Sequence, residues 1–252
     1  MAFYDLPKKE RQVLADEIRA DLLNDLKTGK ITKHLQYFAD EDTYIRKTAY
    51  LDIGKLYNAG NAAVKTTIAT LETVFKEPEF KIRQTVVNAA GEIGKAEFDI
   101  VQHFFDIALF DAHHAVRNAV IGSIKKMGEK NPQPVLAWSK KYLHHEDKEI
   151  RREICHGIEL RGRTHPQDIL PLLRELEFDK TARVRNTLVH VLGQIAYKKG
   201  CLETVIEDLS TWQNRELVAK AIDEIIDVHH RYRDFAVLTQ QQAIDYIKHH
   251  TK

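Results

Sequence analysis

The sequence predicts an all-α protein in which about six helix pairs stack as an α-α superhelix, or solenoid. The main observation is a recurring Ile/Val-Arg dipeptide, whose arginines are Arg46, Arg83, Arg117, Arg151 and Arg185. These arginines are spaced by 37, 34, 34 and 34 residues, a period typical of helical-repeat arrays. A second observation is that no run of alternating β-branched residues between turn glycines breaks the helical pattern, so no strand is predicted.

The same register predicts a sixth copy at Val218-Ala219, so six repeats are expected over residues 31–232. Before them, leucine and isoleucine recur at steps of four from Leu14 to Leu26, and Gly29 follows. This pattern predicts an amphipathic helix that ends at the glycine. Because an end repeat must cover the apolar side of its neighbour, residues 1–30 are interpreted as an N-terminal capping helix.

The end of the chain carries a second helix-start signal. Thr239 and Gln242 have the spacing of a capping box, in which each side chain bonds the backbone N–H of the other residue. Residues 233–252 are therefore expected to hold a C-terminal capping helix. With both caps, residues 1–252 are predicted to form a single solenoid.

Each repeat is predicted to contain a first helix, A, and a second helix, B, which carries the Ile/Val-Arg signature. The A helices are predicted at residues 31–38, 62–75, 98–109, 133–143, 167–177 and 202–211. Counted from the signature arginine, positions −1, +3, +7 and +10 are mostly apolar, as in Val184, Leu188, Leu192 and Ile195. These positions share one helix face and predict the buried stripe of B, while +1, +5, +8 and +12 predict its exposed face.

An acidic residue precedes most signature arginines by six positions. The residues in that place are Asp40, Glu77, Asp111 and Asp179, with His145 as the exception. Acidic residues in the A–B turns and arginines one turn into B predict a structural ladder of charge-assisted hydrogen bonds within and between repeats.

The composition narrows the class of function. There are 38 basic and 37 acidic residues, for a formal charge of +1, so no overall field points to nucleic acid or to a membrane surface. The two cysteines fit a reducing compartment rather than a disulfide framework, and the N-terminus shows no apolar signal core. A cytoplasmic location and no membrane association are therefore expected.

The pattern of Asp179, Val184-Arg185 and Leu192-Gly-Gln-Ile195 resembles that of HEAT repeats, and the resemblance covers residues 31–232. HEAT arrays curve into a superhelix whose concave wall is made of B helices. The resemblance thus implies that a binding site lies on the B helices, but it implies no chemistry.

The predicted B face is polar and mixed in charge. Its candidate binding residues are Asn118, Lys125, Arg152, His156, Glu159, Arg163, Asn186, His190 and Glu224. Phosphate-binding glycine loops and serine-nucleophile elbows are missing from the sequence. We therefore expect a non-enzymatic scaffold that binds a protein or peptide partner in the groove, without a cofactor.

Column +5 of the repeats suggests a more specific alternative. It ends with His156, His190 and Glu224, which would lie side by side on adjacent B helices and, with Glu159 and Asp227 one turn along, resemble a metal or acid–base set. Neighbouring helices lie about 8 to 10 Å apart, so the imidazoles would have to lean together to share an ion. Common ancestry of the repeats also explains matched residues, so no metal is predicted.

The segment Ile150–Arg163 is also similar in style to the HEAT-like DNA alkylation repair glycosylases. That resemblance implies duplex DNA in the groove, a catalytic carboxylate that Glu159 would supply, and a basic residue that Arg152 or Arg163 would supply. Trp138 and Trp212 fall in A helices, off the predicted groove face. DNA binding, with alkylpurine glycosylase activity if the chain is an enzyme, is therefore the alternative function.

Overall fold

The computed structural model describes residues 3–60 and 63–250, and this part of the chain is all-α, as predicted. A short 3-10 helix, Phe3–Asp5, is followed by fourteen α-helices among the described residues: α1 (Lys8–Thr28), α2 (Thr32–Phe38), α3 (Thr43–Asn58), α4 (Ala63–Val74), α5 (Phe80–Ala108), α6 (His114–Lys130), α7 (Pro132–Lys140), α8 (Lys148–Gly157), α9 (Glu159–Gly162), α10 (Pro166–Arg174), α11 (Ala182–Gln194), α12 (Cys201–Ser210), α13 (Arg215–Arg231) and α14 (Gln240–His250). The chain divides into two compact units, residues 1–131 and 132–252. The single array predicted for residues 1–252 stays a prediction.

Unit 1 contains α1 and three helix pairs. Helix α1 ends at Gly29, whose φ of 70° is readily adopted only by a residue without a side chain. Helix α1 packs on α3, which packs on α5, which packs on α6. The predicted boundary at residue 98 is a kink inside α5, where Glu97 has φ −132° and ψ 71°. Residue 62, the predicted start of the second A helix, lies outside the described residues.

Unit 2 contains three more pairs and α14. Its first B helix is interrupted at Ile158, between α8 and α9. Helix α11 packs against both α8 and α13. The capping box before α14 is confirmed, because the Thr239 N–H donates to Gln242 Oε1 at 2.9 Å and the Gln242 N–H donates to Thr239 Oγ1 at 3.2 Å.

The predicted buried stripe of the B helices is confirmed in both units. In unit 2, Val184, Leu188, Leu192 and Ile195 are fully buried. In unit 1 the equivalent residues Ile82, Val86, Ala90 and Ile93 are at most 5 % exposed. Because the B helices present this stripe to neighbouring helices, the core continues from pair to pair within each unit.

The arginine ladder is present, with two kinds of partner. Within a repeat the signature arginine donates to the backbone carbonyl six residues earlier, as Arg151 does to His145 at 2.7 Å and Arg117 to Asp111 at 2.7 Å. Between repeats, Arg83 and Arg151 each pair with an aspartate in the next A–B turn. Arg151 binds both oxygens of Asp179, at 2.5 and 3.1 Å, and Arg83 binds Asp111 at 2.7 and 3.1 Å.

We expect the free energy of unfolding to fall as the pH is lowered from about 5 to about 2. Burial is the largest single effect on Asp111 and Asp179 and opposes their ionisation, but it is outweighed by the sum of the hydrogen bond from Arg83 or Arg151, a backbone N–H bond and the positive charge of the arginine, which together hold both carboxyl pKa values below their usual range. Their stabilising contribution is thus present above the unfolded pKa and is lost as the pH falls through the folded pKa. Urea unfolding at stepped pH measures this, and Asp179→Asn should show a shallower acid dependence. An unchanged slope in that variant would contradict the assignment.

Two further observations bear on the environment of the chain. Across the described ranges, no helix combines the length and the apolar character needed to cross a membrane. Cys155 and Cys201 are both buried free thiols.

Candidate functional site

Three predicted site residues lie next to one another on the B helices of unit 2. His156 is on α8, His190 on α11 and Glu224 on α13. The two imidazole rings meet edge to face with centroids 5.9 Å apart, and His190 Nδ1 is 3.6 Å from Glu224 Oε1. Since α11 packs against both neighbouring B helices, residues one repeat apart become spatial neighbours here.

An open pocket of about 460 Å³ lies between α8 and α11. Its walls are Arg152, His156, Arg183, Asn186, Thr187 and His190. Two arginines, an amide and two imidazoles make this wall rich in hydrogen-bond donors. Arg183 was not among the predicted site residues because it stands two positions before the signature arginine, outside the columns assigned to the exposed face.

The two pocket arginines share one carboxylate. Glu149 accepts from Arg152 Nε at 2.9 Å and lies 3.1 Å from Arg183 Nε. The Arg183 side chain is 63 % exposed, whereas that of Arg152 is 19 % exposed. Arg183 is therefore the pocket cation that can most easily exchange its present partner for a ligand.

Glu159 is buried rather than part of the exposed B face. Its side chain is 2 % exposed, and its Oε1 accepts from Arg163 Nε at 3.0 Å and from Arg163 Nη2 at 2.5 Å. Arg163 also donates to Gln194 Oε1 at 2.9 Å. This corrects the prediction for Glu159: the interruption at Ile158 and the Arg163 pair turn the carboxylate inward, toward α11.

The residues at position +8 in the other repeats show why Glu159 was wrongly predicted to be exposed. Three other copies have glycine there, and a Cβ added to Gly91 would lie 2.7 Å from Ser123 Cβ. A Cβ added to Gly193 would lie 2.5 Å from Glu224 Cγ. In the copies with glycine, column +8 therefore lies directly against the next B helix, whereas Asp227, in the same column of the last copy, is 55 % exposed. Tyr197, predicted in column +12 of the same face, is also buried.

Two predicted site residues belong to unit 1. Asn118 on α6 is exposed, and Lys125 on the same helix is partly buried. The lysines around them are bound to a carboxylate: Lys126 lies 3.5 Å from Glu92, and Lys95 also pairs with Glu92. Two lysines of this face thus share one carboxylate.

The basic side chains at the end of the unit 2 face are paired with carboxylates. Arg231 contacts Glu224 at 2.6 Å and Asp227 at 2.5 Å, and Lys220 contacts Glu216 at 2.7 Å. Together with the Arg152, Arg183 and Arg163 pairs, these contacts interleave positive and negative side chains. The B face of unit 2 is a mixed polar wall, without a continuous basic strip among the described side chains.

The residues of the alternative glycosylase reading are placed unfavourably for that chemistry. Glu159 is buried, with Oε1 paired with Arg163 and Oε2 3.2 Å from His156 Nε2, so the carboxylate does not face a base bound on the exposed B face. Trp138 and Trp212 are at most 1 % exposed and pack in the core.

Cys155 is not placed to act as a nucleophile, because burial raises the pKa of its thiol.

The set of side chains with metal-ligand chemistry differs from the predicted one. One ligand atom from each of His156, Glu159 and His190 lies within 4.8 Å of the others. Glu224, the predicted third member, instead contacts His190 and Arg231. The sequence placed His156 and His190 in the same column and Glu159 one turn along, but it assigned the third ligand position to Glu224 rather than to Glu159.

Comparison with known proteins bears on the fold. No protein-family model matches the chain, and no curated protein shows significant sequence similarity to it. AlkD2 from Streptococcus mutans is similar in structure, with a TM-score of 0.56 and 14 % identity over 78 % of this chain and 97 % of that chain. A structure from Crescerin, which uses a TOG domain array to regulate microtubules in the primary cilium, gives a TM-score of 0.49 and 16 % identity over 77 % and 88 %. Computationally designed armadillo repeat proteins for modular peptide recognition give 0.34 and 16 % over 79 % and 99 %. The similarity to AlkD2 concerns the fold alone and, together with the repeated helix pairs, confirms the predicted resemblance at that level: the chain has a HEAT-like helical-repeat fold.

Proposed function

We propose that the chain is a non-enzymatic scaffold that binds a protein or peptide partner through a concave B-helix surface. The central contact is the pocket between α8 and α11. Helical-repeat proteins commonly present extended surfaces of this kind to their partners. Because Cys155 and Cys201 are free thiols, we place this activity in a reducing compartment such as the cytoplasm.

The observation that carries the proposal is the pairing of positive with negative side chains along the unit 2 face. Duplex DNA is bound chiefly by neutralising phosphates with lysine and arginine, which requires a stripe of cations without competing carboxylates. Here Glu149, Glu159 and Glu224 each hold at least one arginine. Such an interleaved wall favours a protein surface that carries both charges and hydrogen-bonding groups.

The pocket itself favours an acidic residue on the partner. The residues that line the pocket include no carboxylate. Polar groups that can donate hydrogen bonds come instead from Arg183, Asn186 and His190. An incoming carboxylate would take Arg183 from Glu149 and form the paired hydrogen bonds that guanidinium groups prefer. Arg152 would keep Glu149, so no buried charge is left alone.

We expect peptides selected from a random display library on the full chain to be enriched in Asp or Glu. Their affinity, measured by isothermal titration calorimetry, should fall roughly thirtyfold in Arg183→Glu, since a central arginine contact contributes about 2 kcal/mol. Lys141→Glu is the matched control, because it makes the same charge change at an exposed residue after α7. Equal affinity in both variants would refute the pocket as the contact.

A binding assay with duplex DNA tests the alternative function. Fluorescence anisotropy with a labelled duplex at low and moderate salt should show no binding that weakens steeply with salt. Salt-dependent binding that Arg183→Glu reduces would replace the protein proposal with a DNA one. Release of methylated purines from alkylated duplex, lost in Glu159→Gln, would show glycosylase activity and refute the non-enzymatic scaffold.

A further inference from the structure

We propose that His156, Glu159 and His190 bind one divalent transition-metal ion of the zinc class. The three ligand atoms lie within 4.8 Å of one another in the present structure. Two imidazoles and one carboxylate are a donor set that Zn²⁺ accepts readily, and it keeps a fourth position open. This inference is independent of the proposed partner, because it concerns the ion alone.

The distances are close to those that an ion would impose. With metal–ligand bonds of about 2.0 to 2.1 Å, the ligand atoms of a tetrahedral site are about 3.3 Å apart. His156 Nε2 and Glu159 Oε2 are already 3.2 Å apart. The other two separations must shorten by at most about 1.5 Å to reach that tetrahedral spacing. Rotation of the His190 side chain, which is 43 % exposed, can supply that movement without displacing a helix.

The Glu159 carboxylate is held in position by other residues of the chain before any ion binds. Its Oε1 is held by two nitrogens of Arg163, and its Oε2 is directed toward His156. The carboxylate therefore has one oxygen engaged by a cation and the other oriented toward an imidazole. Ligand carboxylates in metal sites are themselves commonly hydrogen-bonded in this way.

Glu224 has the position of an outer-shell residue. Its Oε1 lies 3.6 Å from His190 Nδ1, so it can accept the proton on that nitrogen and leave Nε2 for the ion. Metal-bound histidines usually donate their other ring N–H to such an acceptor, which fixes the tautomer. The contact gives Glu224 a role distinct from that of the three ligands.

The ion would lie beside the pocket, because His156 and His190 are also pocket-lining residues. Three protein ligands leave at least one coordination position for water or for a donor atom from outside the chain. The site thus has the open form, unlike a closed four-ligand structural zinc site.

The test uses the full chain, stripped with a chelator and then loaded with Zn²⁺ alone. We expect one tightly held zinc ion per chain after gel filtration, measured by mass spectrometry of the metal, and its loss in the double variant His156→Ala/His190→Ala. The control His144→Ala/His145→Ala removes an adjacent surface pair, one member of which contacts Glu175 at 2.8 Å. It should keep the ion. Equal zinc content in the two double variants, or none in the unmodified chain, would overturn the proposal.

A second measurement separates ligand from outer-shell residues. Co²⁺ bound by four or five ligands absorbs strongly in the visible range, so its titration reports both affinity and geometry. Glu224→Gln should weaken Co²⁺ binding by about 10- to 100-fold while the saturated spectrum is retained. His190→Ala should abolish the spectrum. A Glu224→Gln chain with undiminished affinity would refute the outer-shell role, and a retained spectrum in His190→Ala would overturn the site.

Discussion

Replacing Leu192 with Ala is expected to lower the free energy of unfolding by roughly 2 to 5 kcal/mol. Leu192 is fully buried on α11, the helix that packs against both α8 and α13. The substitution deletes apolar atoms whose burial stabilises the fold. It also leaves a cavity among three helices that cannot easily close. Urea unfolding followed by circular dichroism measures the change in free energy.

Phe178→Ala is the control for this prediction. It deletes a larger apolar group, but the Phe178 side chain is 63 % exposed, so a change of less than about 1 kcal/mol is expected. A loss as large as that of Leu192→Ala would show that apolar size, rather than burial, sets the effect.

The Leu192 substitution should also act locally. In a repeat protein each helix pair is stabilised mainly by its neighbours, so hydrogen-exchange protection should fall first in α8, α11 and α13. Protection of α3 and α5 in unit 1 should change later. Equal loss at both ends of the chain would contradict a one-dimensional arrangement of repeats.

The fold could be predicted from the sequence because one physical requirement recurs in every copy. Each B helix must bury the stripe represented by Val184, Leu188 and Leu192, and that requirement fixes residue type every three to four positions. The period of the signature arginine then sets the helix pairs in register. Both signals come from local spacing, which a single sequence displays directly.

The exposed face could be predicted only in part. Columns +1 and +8 differ by about 20° around a helix with 3.6 residues per turn, yet Asn186 at +1 is exposed and Glu159 at +8 is buried. The difference lies along the helix axis, since the next B helix lies directly against position +8 in the copies that have glycine there. Angular position alone does not contain this information.

A signal for that close approach was nevertheless present in the sequence. Gly54, Gly91 and Gly193 occupy the same column as Glu159, and an added Cβ at each of the three would lie under 3.0 Å from the neighbouring helix. A carboxylate that takes the place of glycine between two B helices, as Glu159 does, is therefore a candidate for a buried, paired group, whereas Asp227 in the last copy is 55 % exposed. This anomaly identifies Glu159 as the residue that links the structural core to the candidate metal site.

The arginine ladder likewise combines a contact within one repeat, which sequence spacing indicates, with a contact between repeats, which it does not. Position −6 contributes a backbone carbonyl to its own arginine, so His145 is tolerated there. The Asp179 side chain is used by the preceding repeat. Only the second contact needs a carboxylate, and sequence spacing does not distinguish the two.

Replacing Asp179 with Ala is therefore expected to cost about 3 to 5 kcal/mol, the usual effect of removing one partner from a buried ion pair. Arg151 and Asp179 are only 13 % and 5 % exposed, and they share two hydrogen bonds. Without the carboxylate, the Arg151 charge stays largely desolvated and loses its compensation. The Thr181 N–H also loses its acceptor, at 2.8 Å from Asp179 Oδ1.

The exposed pair Glu216–Lys220 supplies the control, because its side chains are 80 % and 60 % exposed. Glu216→Ala should change the free energy of unfolding by no more than about 0.5 kcal/mol, since solvent screens such pairs. Asp179→Asn should fall between the two, because an amide keeps one acceptor oxygen but not the charge. If Asp179→Ala and Glu216→Ala cost the same, the ladder is not a stabilising element. Ion pairs between repeats would then contribute no more than ordinary surface contacts, and apolar burial by the B helices would account for the stability of the repeats.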